Sequence, residues 1–382
     1  MTLTTGERYL HRCLQLAKLG AGNVAPNPMV GAVLVHNDCI IGEGYHQKYG
    51  EAHAEVHSIG QATQSGLTDT ISQSTLYVSL EPCAHFGKTP PCADLIIKHK
   101  IPKVVIGCRD PFKEVNGKGI EKLKAAEVEV ELGILEKECK ELNKRFFTFH
   151  TQHRPYIILK WAETNDGFMA PPPPEGGIAD FSKMKSSFLF EDAGTPPSER
   201  LGEAGRARLF ISNEYTNRLV HKWRSEEAAI LVGTNTVEYD NPELTTRLWP
   251  GNSPVRLIVD RHLRLPSSLK VFNQQVRTII FNTIKHEEDG NLLYYQVTED
   301  VSLVHQIVNA LYQLKIQSVI VEGGARLLQS FIDEGMWDET RVICNEQLAI
   351  GKGLRGPKLK DAFLQTVDNV FADSIKIYKN TN

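Results

Sequence analysis

Four residues early in the chain have types and spacing suited to metal chemistry: His53-Ala54-Glu55, then Pro82-Cys83, then Pro91-Cys92. Zinc accepts imidazole nitrogen and thiolate sulfur, and a catalytic zinc keeps three protein ligands and a fourth position open to water. His53, Cys83 and Cys92 supply that set. Cys83 is expected just after a strand and Cys92 just before a helix, whose positive end helps hold a thiolate ionised. Water on such an ion has its pKa lowered towards about 7 and becomes a nucleophile at neutral pH. Glu55, on the first helical turn beside His53, then serves as proton carrier rather than ligand.

Two metal chemistries compete for this pattern. His53 and His57 stand at i, i+4, as on a zinc-protease helix, but that motif needs Glu directly after the first His, and Ala54 occupies the place. The H-x-E and P-C arrangement is instead the one by which zinc deaminases attack an amidine-like ring carbon. Coincidence is a poor account, because four suitable residues fall in order, each at an expected strand end or helix start. Eight residues, Ala84 to Pro91, separate the two cysteines where two are common, so an added loop is expected at the site.

Alternating elements must carry these residues. Leu10, Leu14 and Ala17 keep helical spacing within Glu7 to Leu19, and Gly20 and Gly22 end that helix. Val30 to Val35 and Ile40 to Tyr45 flank the turn at His36-Asn37-Asp38 and read as a hairpin. A helix at Ala54 to Ala62, a strand at Thr75 to Leu80, a helix at Ala93 to His99 and a strand at Lys103 to Gly107 follow. Gly119 to Ala126 (helix), Val128 to Leu132 (strand) and one long helix from Leu135 to Phe149 complete the α/β layers.

The short polar run Thr151 to Pro155 marks a boundary, giving domains over 1–150 and 153–382. A second α/β series has strands at Tyr156 to Leu159, Ala228 to Gly233, Val255 to Asp260, Val276 to Asn282 and Ser318 to Glu322, with helices near Glu214 to Arg224 and Val301 to Leu314. Ala170 to Arg208, with four prolines in a row and little periodicity, reads as an exposed insertion.

Bulk composition narrows the partners. The 382 residues exceed one usual domain, and 41% hydrophobic with 23% charged residues is ordinary for a globular protein. A net charge of −3 without any long basic run makes nucleic acid a poor partner. Met1 to Gly20 lacks the apolar core of a secretion signal, and no membrane-spanning run follows. Seven scattered cysteines, an odd number, fit a reducing compartment, so a cytoplasmic location is expected. Cys13, Cys39, Cys108, Cys139 and Cys344 read as small buried hydrophobes.

The loop between the zinc-type cysteines, Ala84-His85-Phe86-Gly87-Lys88-Thr89-Pro90-Pro91, joins a wider set of motifs: Pro26-Asn27-Pro28-Met29-Val30-Gly31, Gly42-Glu43-Gly44-Tyr45-His46 and His53-Ala54-Glu55. Later segments extend the set: Leu159-Lys160, Asp166-Gly167, Ile230-Leu231-Val232-Gly233, Asp240-Asn241-Pro242, Leu244-Thr245-Thr246-Arg247 and Val321-Glu322-Gly323-Gly324. Together they closely resemble the bifunctional deaminase/reductase family of bacterial riboflavin biosynthesis.

The resemblance implies a cytidine-deaminase-like three-layer α/β/α domain followed by a dihydrofolate-reductase-like α/β domain. It implies hydrolytic deamination of a phosphorylated diaminopyrimidinone ribosylamine, using one Zn2+, then reduction of the ribosyl group to ribityl by NADPH. It also implies site residues: Asn27, His46 and Lys88 at the first substrate; Arg224, Leu244, Arg247 and Glu322 at the second. For the dinucleotide it implies Ala162, Phe210, Ser212, Thr236, Asp240 and the run Gly324, Ala325, Arg326, Leu327, Leu328, Gln329 and Ser330.

Residue chemistry agrees in places. Gly323-Gly324 between a strand and a helix lets backbone amides approach a pyrophosphate, and Arg224 and Arg247 are forked donors suited to phosphate. Arg261 and Arg264, after the strand ending at Asp260, could meet a 2′-phosphate. The chain departs from the family pattern at Phe210, where Trp is expected, in the length of Ala170 to Arg208, and at Val342 to Gly351, where Asn345 and Glu346 interrupt an expected strand. Two other readings stay open: a nucleic-acid-editing deaminase with an accessory domain, and a deaminase whose C-terminal half only binds ligand or assembles subunits. A homo-oligomer acting on a small molecule, with neither nucleic acid nor membrane as partner, is the expected arrangement.

Overall fold

The computed structural model describes residues 3–86, 90–172 and 209–381. The chain divides into two compact units, Met1–Tyr156 with Leu311–Gln317, and Ile157–Ala310 with Ser318–Asn382.

The first unit starts with α1 (Thr5–Lys18), entered through a capping box in which the Thr4 side chain accepts from the Glu7 N–H and Glu7 accepts from the Thr4 N–H. Then come β1 (Gly31–His36), β2 (Cys39–Tyr45), α2 (Ala54–Gln64), the short α3 (Thr68–Ile71), β3 (Thr75–Leu80), α4 (Cys92–Lys98), β4 (Lys103–Cys108), α5 (Lys118–Ala125), β5 (Glu129–Leu132), α6 (Glu136–Leu142) and α7 (Lys144–Gln152). The sheet order is β2-β1-β3-β4-β5, with β1 antiparallel to both neighbours and β3, β4 and β5 parallel.

Strand alternation divides the apolar residues between two faces. Ala32 and Leu34 of β1 pack with Ala54 and Ile59 of α2, Ile96 of α4 and Leu123 of α5. Val33 and Val35 pack on the other side with Tyr9, Leu10 and Cys13 of α1. The result is a helix–sheet–helix sandwich, as the resemblance implies, and the first turns of α2 and α4 lie over the same sheet face.

The long closing helix expected from Leu135 to Phe149 is two helices. Asn143 breaks it: buried between α6 and α7, its Oδ1 accepts from the Met29 N–H and its Nδ2 donates to the Met29 carbonyl, both at 2.8 Å. A second correction concerns Cys39, expected to be buried but exposed at the start of the edge strand β2; the other four cysteines assigned to the core are buried.

The second unit contains β6 (Tyr156–Thr164), whose first residue falls in the first unit, then β7 (Phe168–Ala170), α8 (Glu214–Glu226), β8 (Ala229–Gly233), α9 (Thr234–Asp240), β9 (Val255–Val259), β10 (Thr278–Asn282), β11 (Glu287–Asp289), β12 (Leu292–Gln296), α10 (Leu303–Gln313), whose last three residues fall in the first unit, β13 (Ser318–Glu322), α11 (Ala325–Asp333), β14 (Glu339–Asn345), β15 (Leu354–Arg355), β16 (Ala362–Val370) and β17 (Asp373–Asn380). A ten-stranded sheet runs β11-β12-β10-β9-β8-β13-β6-β14-β17-β16. In its middle β10–β9, β9–β8, β8–β13 and β6–β14 pair in parallel, and these strands are largely buried along their length, as in a sheet covered on both faces. The hairpin β16–β17 closes one edge and was not foreseen, because nearly all of β16 is solvent-exposed and shows no buried alternation.

Asn345 does end a strand. It pairs with Asp373 and Thr164, and its buried side chain donates to the Ile211 carbonyl at 2.7 Å, which satisfies a polar group at that depth. Glu346 falls just beyond, accepting from Ser374 and Lys376. Most of the expected insertion, 173–208, lies outside the described residues.

Candidate metal centre and a second buried ionic site

α2 begins at the first ligand: His53 is its N-cap residue, in extended conformation, and Glu55 sits in its first turn. Cys83 follows β3 after Glu81-Pro82, and Cys92 opens α4. Nδ1 of His53 lies 3.3 Å from Cys92 Sγ and 3.6 Å from Cys83 Sγ, and the Cys92 N–H donates to Cys83 Sγ at 3.4 Å. All three ligand atoms fall within 4.8 Å of one another. Tetrahedral zinc with ordinary Zn–N and Zn–S bonds has ligand-to-ligand edges of about 3.3–3.8 Å, so the triangle has the right size as well as the right donors.

The local electrostatics favour a cation. The Cys83 thiol is held down to about 4, first by the Cys92 thiol donating to it and then by His53 and the Cys92 N–H. The same partnership, together with burial, pushes Cys92 up. Cys83 is thus biased toward thiolate, and a divalent ion would displace a proton held on Cys92. Glu55 is buried, its carboxyl is raised chiefly by desolvation, and among the described residues its Oε2 has no hydrogen-bond partner.

His46 and Asn27 stand beside this cluster. The His46 ring meets the His53 ring edge-on at 5.3 Å between centroids. Its Nδ1 faces the Ala52 carbonyl at 3.1 Å and its Nε2 faces Asn27 Nδ2 at 3.2 Å. One ring nitrogen against an acceptor and the other against a donor fixes a neutral tautomer, in agreement with a pKa lowered mainly by burial. Lys88 lies outside the described residues. Sequence reasoning passed over Asp110, buried two residues beyond the end of β4 and pushed up to about 7, first by desolvation and then by nearby Glu81 and Cys83. An acid soon after an apolar strand was the available signal.

The second unit gathers a different cluster. Glu322, the last residue of β13, accepts from Arg224 of α8 through both oxygens, Nε–Oε1 at 2.9 Å and Nη2–Oε2 at 2.7 Å. Lys160 of β6 adds Nζ at 3.6 Å from Oε2. Burial alone would raise the Glu322 carboxyl, but Arg224 and Lys160 outweigh it and hold the group at about 2. Burial and Arg224 lower the Lys160 ammonium. His221, one helical turn before Arg224, is brought to about 4 by burial and by the charges of Arg224 and Arg247. His221 escaped the sequence reading, and Lys160 entered it only within the Leu159-Lys160 motif, without a role, although a lysine within the apolar run of β6 was a visible anomaly.

Arg224 and Glu322 thus meet, Arg247 is exposed near them, and Leu244 is buried with φ +57. Ala162 shares a face of β6 with Lys160 by strand alternation. Gly323 (φ +79) and Gly324 (φ +79) form the turn into α11, and a Cβ on Gly323 would press on Thr236. That turn and the uncapped start of α11 leave backbone amides open to an anion, and Thr236 stands against them. The later part of the run is turned elsewhere: Leu328 is enclosed in the core, Gln329 bonds Asp333 and the Lys358 backbone, and the Ser330 hydroxyl donates to the Arg326 carbonyl. Ser212 donates to Asn217, while Phe210 and Asp240 are exposed. Arg261 is held by Glu299, and Arg264 by Asn235 and Glu238, on the surface.

Residues 3–108 match the family described as the cytidine and deoxycytidylate deaminase zinc-binding region, and residues 155–355 match the RibD C-terminal domain. The riboflavin biosynthesis protein RibD of Aquifex aeolicus is 38% identical over 378 residues, covering 98% of this chain and 94% of that protein. Its counterpart in Bacillus amyloliquefaciens is 36% identical, covering 87% and 82%. A crystal structure from Thermotoga maritima, described as a diaminohydroxyphosphoribosylaminopyrimidine deaminase/5-amino-6-(5-phosphoribosylamino)uracil reductase, is 34% identical with a TM-score of 0.80, covering 98% of this chain and 99% of its own. With likeness across both units and both family regions, the chain belongs to the RibD family of riboflavin biosynthesis proteins.

Proposed function

We infer that the chain catalyses two successive steps of riboflavin biosynthesis: zinc-dependent hydrolytic deamination of 2,5-diamino-6-(5-phosphoribosylamino)pyrimidin-4(3H)-one, then NADPH-dependent reduction of the ribosyl to the ribityl side chain. The observation that carries the first step is the half-buried His53–Cys83–Cys92 triangle with buried Glu55 beside it. Zinc held there supplies a Lewis acid that makes water nucleophilic at neutral pH. Glu55, already biased toward holding a proton, accepts one from the attacking water and passes it to the leaving amine. Asn27 and His46 line the same site as hydrogen-bonding groups for the ring, and Lys88 is assigned to the substrate phosphate.

NADPH, when bound, supplies hydride to the second site. The Gly323-Gly324 turn and Thr236 suit its pyrophosphate, and Arg261 and Arg264 are the candidates for its 2′-phosphate. Arg224 has its fork committed to Glu322, so the substrate phosphate falls to the exposed Arg247, with Arg224 fixing Glu322 in place. Lys160, buried on the Ala162 face of β6, is placed to hold or deliver the proton that accompanies hydride transfer.

Neither the nucleic-acid-editing reading nor that of a non-catalytic C-terminal half is favoured, since the RibD C-terminal family and full-length relatives account for both halves. No helix among the described residues is long and apolar enough to cross a membrane. A homo-oligomer is proposed, supported by the exposed apolar residues Phe363, Leu364 and Val367 on the outermost strand β16 and Phe371 at its turn. Cytoplasmic location and domain limits at 1–150 and 153–382 complete the proposal. Mass spectrometry of products from the diaminopyrimidine substrate, with and without NADPH, tests the sequence of steps. Deaminated product should accumulate without NADPH and give way to the ribityl product with it; no mass change in either case would refute the assignment.

A further inference from the structure

Glu81 lies between β3 and the ligand Cys83 and is almost wholly buried. Its carboxylate is surrounded by backbone amides of one loop: Oε2 accepts from Asp110 at 3.3 Å and Gly117 at 3.0 Å, and Oε1 accepts from Gly119 at 3.0 Å and Ile120 at 3.3 Å. Three of those donors belong to the N-terminus of α5, whose N-cap residue, Gly117, has no side chain to cap it. Glu81 therefore caps this helix from another strand, with its negative charge at the positive end of the helix.

The same loop is pressed onto the residue before the ligand. A Cβ at Gly119 would collide with the Pro82 carbonyl, so only glycine permits this approach. On its far side, Cys83 is tied through its carbonyl to the Ala93 N–H at 3.1 Å and through Sγ to the Cys92 N–H. Cys83 is thus held from two directions, by α4 on one and by Glu81 and its loop on the other. The loop also delivers Phe112, whose ring meets His85 edge-on within the segment between the two cysteines.

We propose that Glu81 is a positioning residue of the deaminase: by gathering four amides of the 110–120 loop, it sets where Cys83 stands relative to His53 and Cys92 and so how firmly the metal is held. This rests on the metal-site reading above. Removing the charge while keeping the shape, as in Glu81→Gln, turns an N–H donor toward amides that are themselves donors and leaves at least one unsatisfied.

The test uses the full chain, native and E81Q, loaded with Co2+ to read ligand geometry by visible absorption and with Zn2+ to follow transfer to a chelating dye. Residues that orient metal ligands typically contribute about 10–100-fold in metal affinity or activity. E81Q should release zinc faster by roughly that factor, show an altered cobalt band, and exchange the amides of Gly117, Gly119 and Ile120 faster. NADPH oxidation with supplied deaminated intermediate should stay at the native rate. Native cobalt band and zinc-release rate in a folded E81Q would overturn the proposal. Native protein that shows no cobalt–thiolate absorption would instead sink the metal site on which it rests. If E81Q does not fold, Glu81→Asp, which keeps the charge but falls a methylene short, must show the same direction of change; values equal to native overturn the proposal equally.

Discussion

The two ionic clusters solve opposite problems. At His53–Cys83–Cys92 a lowered Cys83 thiol faces a raised Cys92 thiol, and Glu55 is buried with one oxygen that has no hydrogen-bond partner among the described residues. Around Glu322 the acid is matched by Arg224 in two parallel bonds and by Lys160. The first cluster is organised for a charge that must arrive; the second carries its own counter-charge. Buried charge without a partner is costly, so the first unit should respond to metal and the second to loss of one of its own side chains.

The largest expected effect comes from breaking the first cluster at a ligand. Cys92→Ser should remove most of the bound zinc and with it deamination, while reduction of supplied intermediate persists. Metal analysis showing undiminished stoichiometric zinc in this variant would refute the ligand assignment. Next, Glu55→Gln keeps shape and metal but removes the proton carrier, and deamination should fall by roughly 10²–10⁴-fold. If deamination survives at the native rate in a zinc-loaded protein, Glu55 is structural only.

In the second cluster, Arg224→Ala strands a buried carboxylate, and unfolding of this unit should become easier by about 3–5 kcal/mol. Denaturant titration followed by a reductase-unit signal reads this; an unchanged midpoint would show that Lys160 alone suffices. Arg247→Ala, at an exposed position, should leave stability alone and raise KM for the deaminated intermediate that is to be reduced, so that this intermediate accumulates.

The smallest effect is on pH dependence. His221 and Glu322 are both depressed in the folded state, to about 4 and about 2, so the unfolded chain binds more protons at acid pH. Stability from these groups should be full above about pH 6.5, decline as His221 protonates toward pH 4, and decline again as Glu322 protonates from about 4.5 toward 2. His221→Asn should erase the first decline and spare the second. A flat stability profile from pH 7 to 3 would contradict both shifts.

How far these clusters could be read beforehand differs for a physical reason. The zinc triangle was legible because metal chemistry restricts residue type and places the ligands at element ends, where periodicity changes visibly. The Glu322 cluster was only partly so: the resemblance supplied Arg224 and Glu322, but their bidentate pairing depends on β6, α8 and β13 coming together, and no local pattern announces it. Layered architecture followed from alternating apolar periods. The break at Asn143 did not, since α6 and α7 read as one continuous helix and the interruption comes from a partner more than a hundred residues earlier. The β16–β17 hairpin was missed because its outer strand buries almost nothing.

That Asn143 contact also bears on how small an active fragment can be made. The zinc-binding region matched by the family ends at residue 108, and all three ligands and Glu55 precede that point. Yet the Met29 N–H and carbonyl, two residues from Asn27, are satisfied by a side chain beyond it, and Cys139, Phe146 and Phe149 are buried there as well. A polypeptide cut at residue 108 would keep every ligand but would expose this apolar surface and unpair the backbone two residues from Asn27. Trimming for crystallisation, display or directed evolution should therefore stop no earlier than the end of α7 at Gln152.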